Sequence, residues 1–162
     1  MVMGVAGCGK SAVGEALALG AVFVEGDRLH PPENVARMAR GEPLTDTLRE
    51  GWLDAIGQRI AASVADGQSV VATCSALKRG YRNRLRGFCS GIVFVYLEVD
   101  RETAWRRVGT RKGHFMPASL VDSQFAILEA PAADERALTI DATGRLSDIV
   151  AKVLGLLDGK TS

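Results

Sequence analysis

The stretch Gly4-Val5-Ala6-Gly7-Cys8-Gly9-Lys10-Ser11 (GVAGCGKS) decides the fold of this 162-residue chain. It fits the pattern G-x-x-x-x-G-K-[ST] in full, between a predicted short strand at residues 1–5 and a predicted helix at residues 10–19. Glycines allow backbone torsions that a Cβ opposes, so consecutive N–H groups can point inward as a nest for phosphate oxygens. The start of the helix adds partial positive charge. The sequence therefore predicts a nucleoside triphosphate site.

Two side chains of this loop have predicted roles in catalysis with ATP and Mg²⁺. Lys10 supplies a mobile cation for the β- and γ-phosphates, and Ser11 is a predicted Mg²⁺ ligand. We expect Cys8 to fill a position that needs a small residue rather than to act as a nucleophile. The predicted nucleotide contacts in this segment are Gly4, Ala6, Gly7, Cys8, Gly9, Lys10, Ser11 and Ala12.

Downstream, short apolar runs alternate with longer amphipathic stretches. We predict further strands at residues 21–24, 69–73, 92–97 and 137–140, and further helices at residues 31–39, 47–65, 78–87, 101–108, 118–128 and from 146 onwards. Strands that alternate with helices indicate a three-layer α/β/α fold with a five-stranded parallel sheet. Ligands of such folds bind beyond the carboxyl ends of the strands. The whole chain, residues 1–162, is predicted to be one domain.

Composition excludes several classes of protein. Hydrophobic residues make up 47% of the chain, as in ordinary globular domains, and the formal charge of +1 does not suit a globally basic nucleic-acid binder. No apolar run is long enough to cross a membrane, and the start lacks the pattern of a signal peptide. Three cysteines, an odd and sparse set, favour reduced thiols. We expect a cytoplasmic protein without nucleic-acid or membrane partners.

Two carboxylates follow the second predicted strand, in Glu25-Gly26-Asp27. Beside a phosphate loop, Glu25 can help to hold hydrated Mg²⁺, and Asp27 can orient or deprotonate an acceptor hydroxyl. His30, just before two prolines, can hydrogen-bond a polyol substrate. The alternative is a solvated turn followed by a helix-capping histidine.

Five positive charges with no acid between them occupy the segment from 78 to 86: Lys78, Arg79, Arg82, Arg84 and Arg86. Lys78 and Arg79 follow a strand end, where an anionic acceptor such as a sugar acid would need them. The rest of this run is predicted to be a solvated helix face. An RNA-binding patch is the alternative, although Tyr81 is its only aromatic residue.

A glycine-containing loop at residues 109–117 is surrounded by positive charge, which is typical of a lid that closes over ATP and excludes water. The basic residues around it are Arg106, Arg107, Arg111, Lys112 and His114, and an arginine positioned there can stabilise the phosphoryl group during transfer. The predicted lid spans about residues 109–128. A mobile surface loop is the alternative. The short chain and the absence of a guanine-reading N-K-x-D segment favour a kinase acting on a small molecule or a nucleotide.

Four segments together resemble the gluconate kinase family, which is related to shikimate and adenylate kinases: residues 4–11 (GVAGCGKS), 25–46 (EGDRLHPPENVARMARGEPLTD), 74–86 (CSALKRGYRNRLR) and 114–131 (HFMPASLVDSQFAILEAP). The resemblance implies a P-loop NTPase of nucleoside-monophosphate-kinase type with a mobile lid. It also implies ATP-dependent phosphorylation of D-gluconate at the 6-hydroxyl by a homodimer. Thr47-Leu48 and Gly51 depart from the family pattern, which has acids and a proline there.

The resemblance also implies contacts for both substrates. By this resemblance Arg107 and Arg111 belong to the lid, contact ATP and act in catalysis. Thr143 and Arg145 lie in the loop where related kinases hold adenine. The implied acceptor contacts are Asp27, His30, Arg49, Lys78, Arg79, Arg82, His114 and Gln124. Three other functions remain open at this point. They are a shikimate or nucleoside-monophosphate kinase on the same scaffold, a catalytically silent nucleotide-binding regulator, and an RNA-binding module.

Overall fold

The computed structural model describes residues 1–110 and 119–159. Its five strands are β1 (Val2–Met3), β2 (Val22–Glu25), β3 (Val70–Thr73), β4 (Phe94–Glu98) and β5 (Ala137–Asp141). Its α-helices are α1 (Lys10–Leu17), α2 (Pro32–Ala39), α3 (Asp46–Ala65), α4 (Arg79–Phe88), α5 (Arg101–Thr110), α6 (Ser119–Ile127) and α7 (Leu146–Asp158). A 3₁₀ turn, Gly26–Leu29, follows β2.

The five strands form one parallel sheet in the order β2-β3-β1-β4-β5. β1 is central, with Val2 opposite Thr73 on one side and Val95 on the other. The predicted five-stranded parallel sheet is therefore confirmed. The two-residue central strand leads into the phosphate loop from the middle of the sheet, beside the carboxyl ends of its neighbours.

Two apolar cores cover the two faces of the sheet. Along β4, Val95 and Leu97 belong to one core and Phe94 and Tyr96 to the other, as the period-two alternation of a strand requires. The first core is completed by α1, α5, α6 and α7, and the second by α3 and α4. Helices on both faces of a single sheet give the three layers predicted from the sequence.

Helix α3 shows how local sequence produces its element. Thr45 caps the helix by accepting a hydrogen bond from the Leu48 N–H at 3.3 Å. Trp52, Ile56 and Ile60 recur every four residues and are buried, so one side of the helix packs on the sheet. Val64, the next residue at this spacing, is 46% exposed, so the buried stripe ends at Ile60.

The basic helix α4 differs from the prediction of a solvated face. Arg82 is fully buried, and its guanidinium forms two 2.7 Å hydrogen bonds with the carboxylate of Glu135. Arg84 binds Asp54 of α3 at 2.6 Å. The prediction was wrong for Arg82 because its counter-ion lies 53 residues further along the chain.

The predicted lid falls largely where the structure gives no description. Gly109 and Thr110 belong to α5, so the predicted loop does not start at 109. Residues 111–118 lie outside the described residues, and α6 occupies residues 119–127 of the predicted lid. Across residues 1–110 and 119–159, no helix combines the length and the apolar character needed to span a bilayer.

Candidate active site

The phosphate loop adopts the backbone that its glycines permit. Gly4, Gly7 and Gly9 have φ of 142°, 82° and 96°, which side chains other than glycine rarely adopt. A Cβ on Gly7 would lie 2.6 Å from the Ala104 carbonyl oxygen, so α5 packs directly against the loop. The loop is thus shaped both by torsion and by close packing, in the predicted strand–loop–helix setting.

Hydrogen bonds hold two groups of the loop, the Lys10 ammonium and the Ala6 N–H. The Lys10 ammonium donates to the Val5 carbonyl at 3.0 Å. The Ala6 N–H donates to the Gln124 side-chain oxygen on α6 at 2.7 Å, so this amide is already bound to the protein. The Cys8 side chain is buried, as expected for a position that needs a small residue.

The two carboxylates at the end of β2, those of Glu25 and Asp27, lie in different surroundings. The Thr73 hydroxyl donates to Glu25, and it accepts from the Gly26 N–H at 3.1 Å, so Glu25 is held against β3. The Trp52 indole N–H donates to the Gly26 carbonyl at 2.8 Å and secures the 3₁₀ turn. Asp27, one residue further on, lines the cavity beside the phosphate loop.

This cavity joins nine of the predicted site residues from separate parts of the chain: Ala6, Gly7, Gly9, Lys10, Ser11, Asp27, His30, Arg49 and Gln124. Its apolar wall is formed by Met38, Leu44, Val108 and Leu120, which the sequence analysis did not assign to the site. Those residues look like ordinary core positions in the sequence, and no local signal separates them from the rest of the core. The cavity therefore borders both the phosphate loop and a partly apolar wall.

Arg49 places a buried positive charge at this cavity. Its Nε donates to the Leu44 carbonyl at 3.3 Å, and no carboxylate of the described residues lies within 4.0 Å of its guanidinium. Its guanidinium carbon lies 5.8 Å from the centre of the Tyr81 ring. Burial lowers the pKa of Arg49, because the charged form has lost water. A buried cation with no carboxylate in direct contact suits an anionic ligand.

His30 lines the same cavity as a neutral imidazole. Burial, with a smaller contribution from the Arg49 charge, lowers the pKa of His30 to about 4. Its Nδ1 is buried and has no hydrogen-bond partner in the described part of the chain. The ring can therefore offer a hydrogen bond to a ligand at neutral pH without adding charge.

Three predicted acceptor contacts do not line this cavity. Lys78 is paired with Asp46 at 2.8 Å, and Arg79 with Asp134 at 2.6 Å. Arg82 faces the interior and holds Glu135, so the structure does not bring it to an acceptor. These three residues tie α4 to neighbouring segments instead.

A second cleft lies on the other side of the phosphate loop. The Arg107 guanidinium donates to the carbonyls of Ala142 at 2.9 Å and of Gly7 and Thr143, each at 3.4 Å. Thr143 is bound through its N–H and hydroxyl to Asp141, and Arg145 is 87% exposed. Residues lining this cleft include Cys8, Gly9, Ala12, Arg107, Ala142 and Leu146. Arg111 and His114 lie outside the described residues.

A glycine loop that leads into Lys10, at the centre of a parallel sheet and on the same cavity as the Asp27 carboxylate, defines a P-loop kinase. A family model described as "AAA domain" matches residues 1–131. The gluconokinase of Gluconobacter oxydans (strain 621H) is 47% identical over 142 residues, covering 86% of this chain and 80% of that protein. The thermoresistant gluconokinase of Escherichia coli (strain K12) is 39% identical over 160 residues, covering 97% and 91%.

Solved structures of a gluconokinase and of a sugar kinase are also similar to this chain. A gluconokinase from Sinorhizobium meliloti 1021 has a TM-score of 0.83 and 43% identity, covering 99% of this chain and 95% of that one. An unliganded sugar kinase from Janibacter sp. HTCC2649 has a TM-score of 0.91 and 41% identity, covering 97% and 92%. The chain belongs to the gluconokinase family.

Proposed function

We propose that this chain transfers the γ-phosphoryl group of ATP to the 6-hydroxyl of D-gluconate, giving 6-phospho-D-gluconate and ADP. The observation that carries the proposal is the buried Arg49 guanidinium, which faces the same cavity as Lys10 and Asp27 without a carboxylate partner among the described residues. A sugar acid supplies both the missing negative charge and a hydroxyl. The named gluconokinases that the chain resembles support the same choice.

The nucleotide end of the site rests on the phosphate loop. Lys10 and the loop amides bind the phosphates, while the cleft beside Arg107 and Ala142 takes the adenine. Arg107 keeps that cleft in place by joining three carbonyls. Thr143 and Arg145 flank Gly144, which lines this cleft, and Arg111 is proposed to complete the phosphate contacts from the segment 111–118.

Magnesium is proposed as the companion of ATP, and the residues present fit it. Ser11 lies in the first turn of α1 and lines the cavity, so its hydroxyl would hold the ion, with Glu25 as the second candidate. The described residues contain no cluster of three or more His, Cys, Asp or Glu, which suits an ion held mainly by phosphate oxygens and water. When bound, Mg²⁺ neutralises charge on the phosphates.

The acceptor end orients gluconate. Arg49 binds the carboxylate of gluconate, and His30 hydrogen-bonds one of the hydroxyls of gluconate. Asp27 orients the terminal hydroxyl and accepts its proton as the new O–P bond forms and the bond between the γ-phosphorus and the ADP oxygen breaks. Lys78, Arg79 and Arg82 act in this proposal through the loops that they hold, and His114 remains a predicted contact.

An acceptor comparison tests the function. The purified chain would be given MgATP with D-gluconate, shikimate or nucleoside monophosphates, ADP release would be followed in a coupled assay, and the product would be assigned by NMR. We expect turnover with gluconate at least 100-fold above the other acceptors, and in Lys10→Ala a fall of at least 100-fold to a residual rate that can still be measured. Faster turnover with shikimate or with a nucleoside monophosphate would show that the chain is a shikimate kinase or a nucleoside-monophosphate kinase instead. MgATP binding with no ADP release for any acceptor would favour a regulator.

Assembly and location follow from the same proposal. We propose a cytoplasmic homodimer, as the sequence resemblance implies. All three cysteines are free thiols, which suits a reducing compartment. Light scattering on the purified chain would give the mass in solution, and a monomer at micromolar concentration would contradict the dimer.

A further inference from the structure

Gln124 connects the helix that follows residues 111–118 to the phosphate loop. It lies on the buried side of α6, and its Oε1 accepts the Ala6 N–H at 2.7 Å across 118 residues of sequence. Leu120 and Val121 of the same helix are buried in the core that also contains Val5. The position of this amide acceptor is therefore set by the packing of α6.

The Ala6 N–H belongs to the same peptide unit as the Val5 carbonyl. That carbonyl accepts from the Lys10 ammonium at 3.0 Å and from the Cys8 N–H at 3.3 Å. One planar peptide is thus bound by Gln124 on its N–H edge and by Lys10 on its C=O edge. Rotation of this plane would break both contacts together.

We propose that Gln124 is a positioning residue for Lys10, acting through the Val5–Ala6 peptide. Without the Gln124 oxygen, the buried Ala6 N–H has no acceptor from α6, and the peptide is free to rotate to find one. The Val5 carbonyl then no longer directs Lys10 at the phosphates. This inference rests on the proposed function, because it concerns the same phosphoryl transfer.

The matched test uses Gln124→Met, which keeps the length of the side chain but removes the acceptor oxygen. We expect kcat with gluconate to fall about 10-fold or more, with the KM for gluconate within twofold of the wild-type value. Ala126→Met, at an exposed position of the same helix, introduces the same side chain and should leave both constants unchanged. Gln124→Asn, one methylene shorter, serves as the second variant if Gln124→Met does not fold.

A double-mutant cycle separates positioning from general damage. In a Lys10→Ala background we expect Gln124→Met to cause less than a twofold further loss of kcat, because its route to the reaction is already gone. Multiplicative losses would overturn the inference, and so would a raised KM for gluconate with unchanged kcat. Absence of gluconate turnover in the wild-type chain would refute the proposed function instead, which the same assay shows directly.

Discussion

The imidazole of His30 lies parallel to the indole of Trp52, with ring centroids 4.0 Å apart and planes 14° apart. The same indole donates its N–H to the Gly26 carbonyl, at the start of the 3₁₀ turn that carries Asp27. Trp52 therefore fixes both the imidazole and the turn. Because Trp52 is itself buried in α3, the acceptor end of the site depends on a helix rather than on a free loop.

Stability should depend on the protonation of His30. Burial lowers its pKa to about 4 in the folded chain, below the ordinary value of 6.5, so the unfolded chain binds the proton first as the pH falls. The stability that the folded chain gains from a neutral His30 is fully present above pH 6.5 and is lost as the pH falls towards 4. Between pH 7 and pH 5 we expect wild type to lose about 2 kcal/mol more unfolding free energy than His30→Gln. Urea unfolding at both pH values measures this, and parallel pH profiles for the two proteins would contradict it.

Asp27→Asn should abolish most of the chemistry while leaving the nucleotide end intact. The amide cannot accept the hydroxyl proton, so we expect kcat to fall about 10²- to 10⁴-fold. Lys10 and the loop amides are unchanged, and the affinity for MgATP should stay within about twofold. Steady-state kinetics and calorimetry measure the two quantities, and near-normal turnover would remove Asp27 from the mechanism.

Arg49→Met should selectively weaken the binding of the acceptor, gluconate. Losing one charge-assisted hydrogen bond, about 1.5–3 kcal/mol, raises the KM for gluconate about 10- to 150-fold. The neutral polyol D-glucitol should be affected far less, and the free protein should be no less stable because a desolvated charge has been removed.

Arg59→Met, an exposed arginine of the same helix, is the control for Arg49→Met and should behave as wild type. Equal losses with gluconate and with D-glucitol would show that Arg49 does not bind the carboxylate.

Arg82→Met should destabilise the fold strongly. It removes the Arg82 guanidinium from the buried Glu135 carboxylate, which keeps the longer contact with Arg86 at 3.3 Å, and we expect this to cost about 3–5 kcal/mol. Adding Glu135→Met should recover only part of this, because the Ala76 and Glu129 carbonyls, which accept from Arg82 at 3.0 and 2.9 Å, still lack a donor. Urea midpoints measure these changes.

The control for Arg82→Met is Arg84→Met, which removes a partly exposed ion pair from the same helix and should leave the urea midpoint near that of wild type. A midpoint for Arg82→Met as high as that for Arg84→Met would mean that the buried pair is dispensable.

Local signals explain what the sequence could predict. The glycine loop, the apolar strands and the four-residue spacing of α3 are each encoded within a short window, so the sheet and the phosphate loop were predicted. The cap of α3 by Thr45 and the position of Asp27 after β2 likewise depend on residues that are close together in the sequence. Placement of Asp27 and Lys10 on one cavity then follows from the rule that parallel strands end at a common edge.

Contacts between distant segments explain what could not be predicted. Arg82 lies in an unbroken basic run, and only the return of the chain at Glu135 turns that position into a buried ion pair. The bond from Ala6 to Gln124 joins residues separated by 118 positions, so no window contains it. Leu48, at a position where the family pattern has an acid, packs against the core, and its carbonyl accepts from Asn34 at 2.9 Å. No carboxylate is needed for that packing.

The strand order has a consequence for how such a protein can diversify. With β1 central, the cleft proposed for adenine is built by the phosphate loop, α1 and segments on the β4–β5 side of the sheet, whereas Asp27, His30 and Arg49 come from segments on the β2–β3 side. Exchanges in the segment from β2 to α3 can therefore alter the polar groups that face the acceptor without touching the residues that line the cleft proposed for adenine, while Val108 and Leu120, from α5 and α6, keep part of the apolar wall. New acceptor preferences on such a scaffold can arise largely from changes on one side of the sheet.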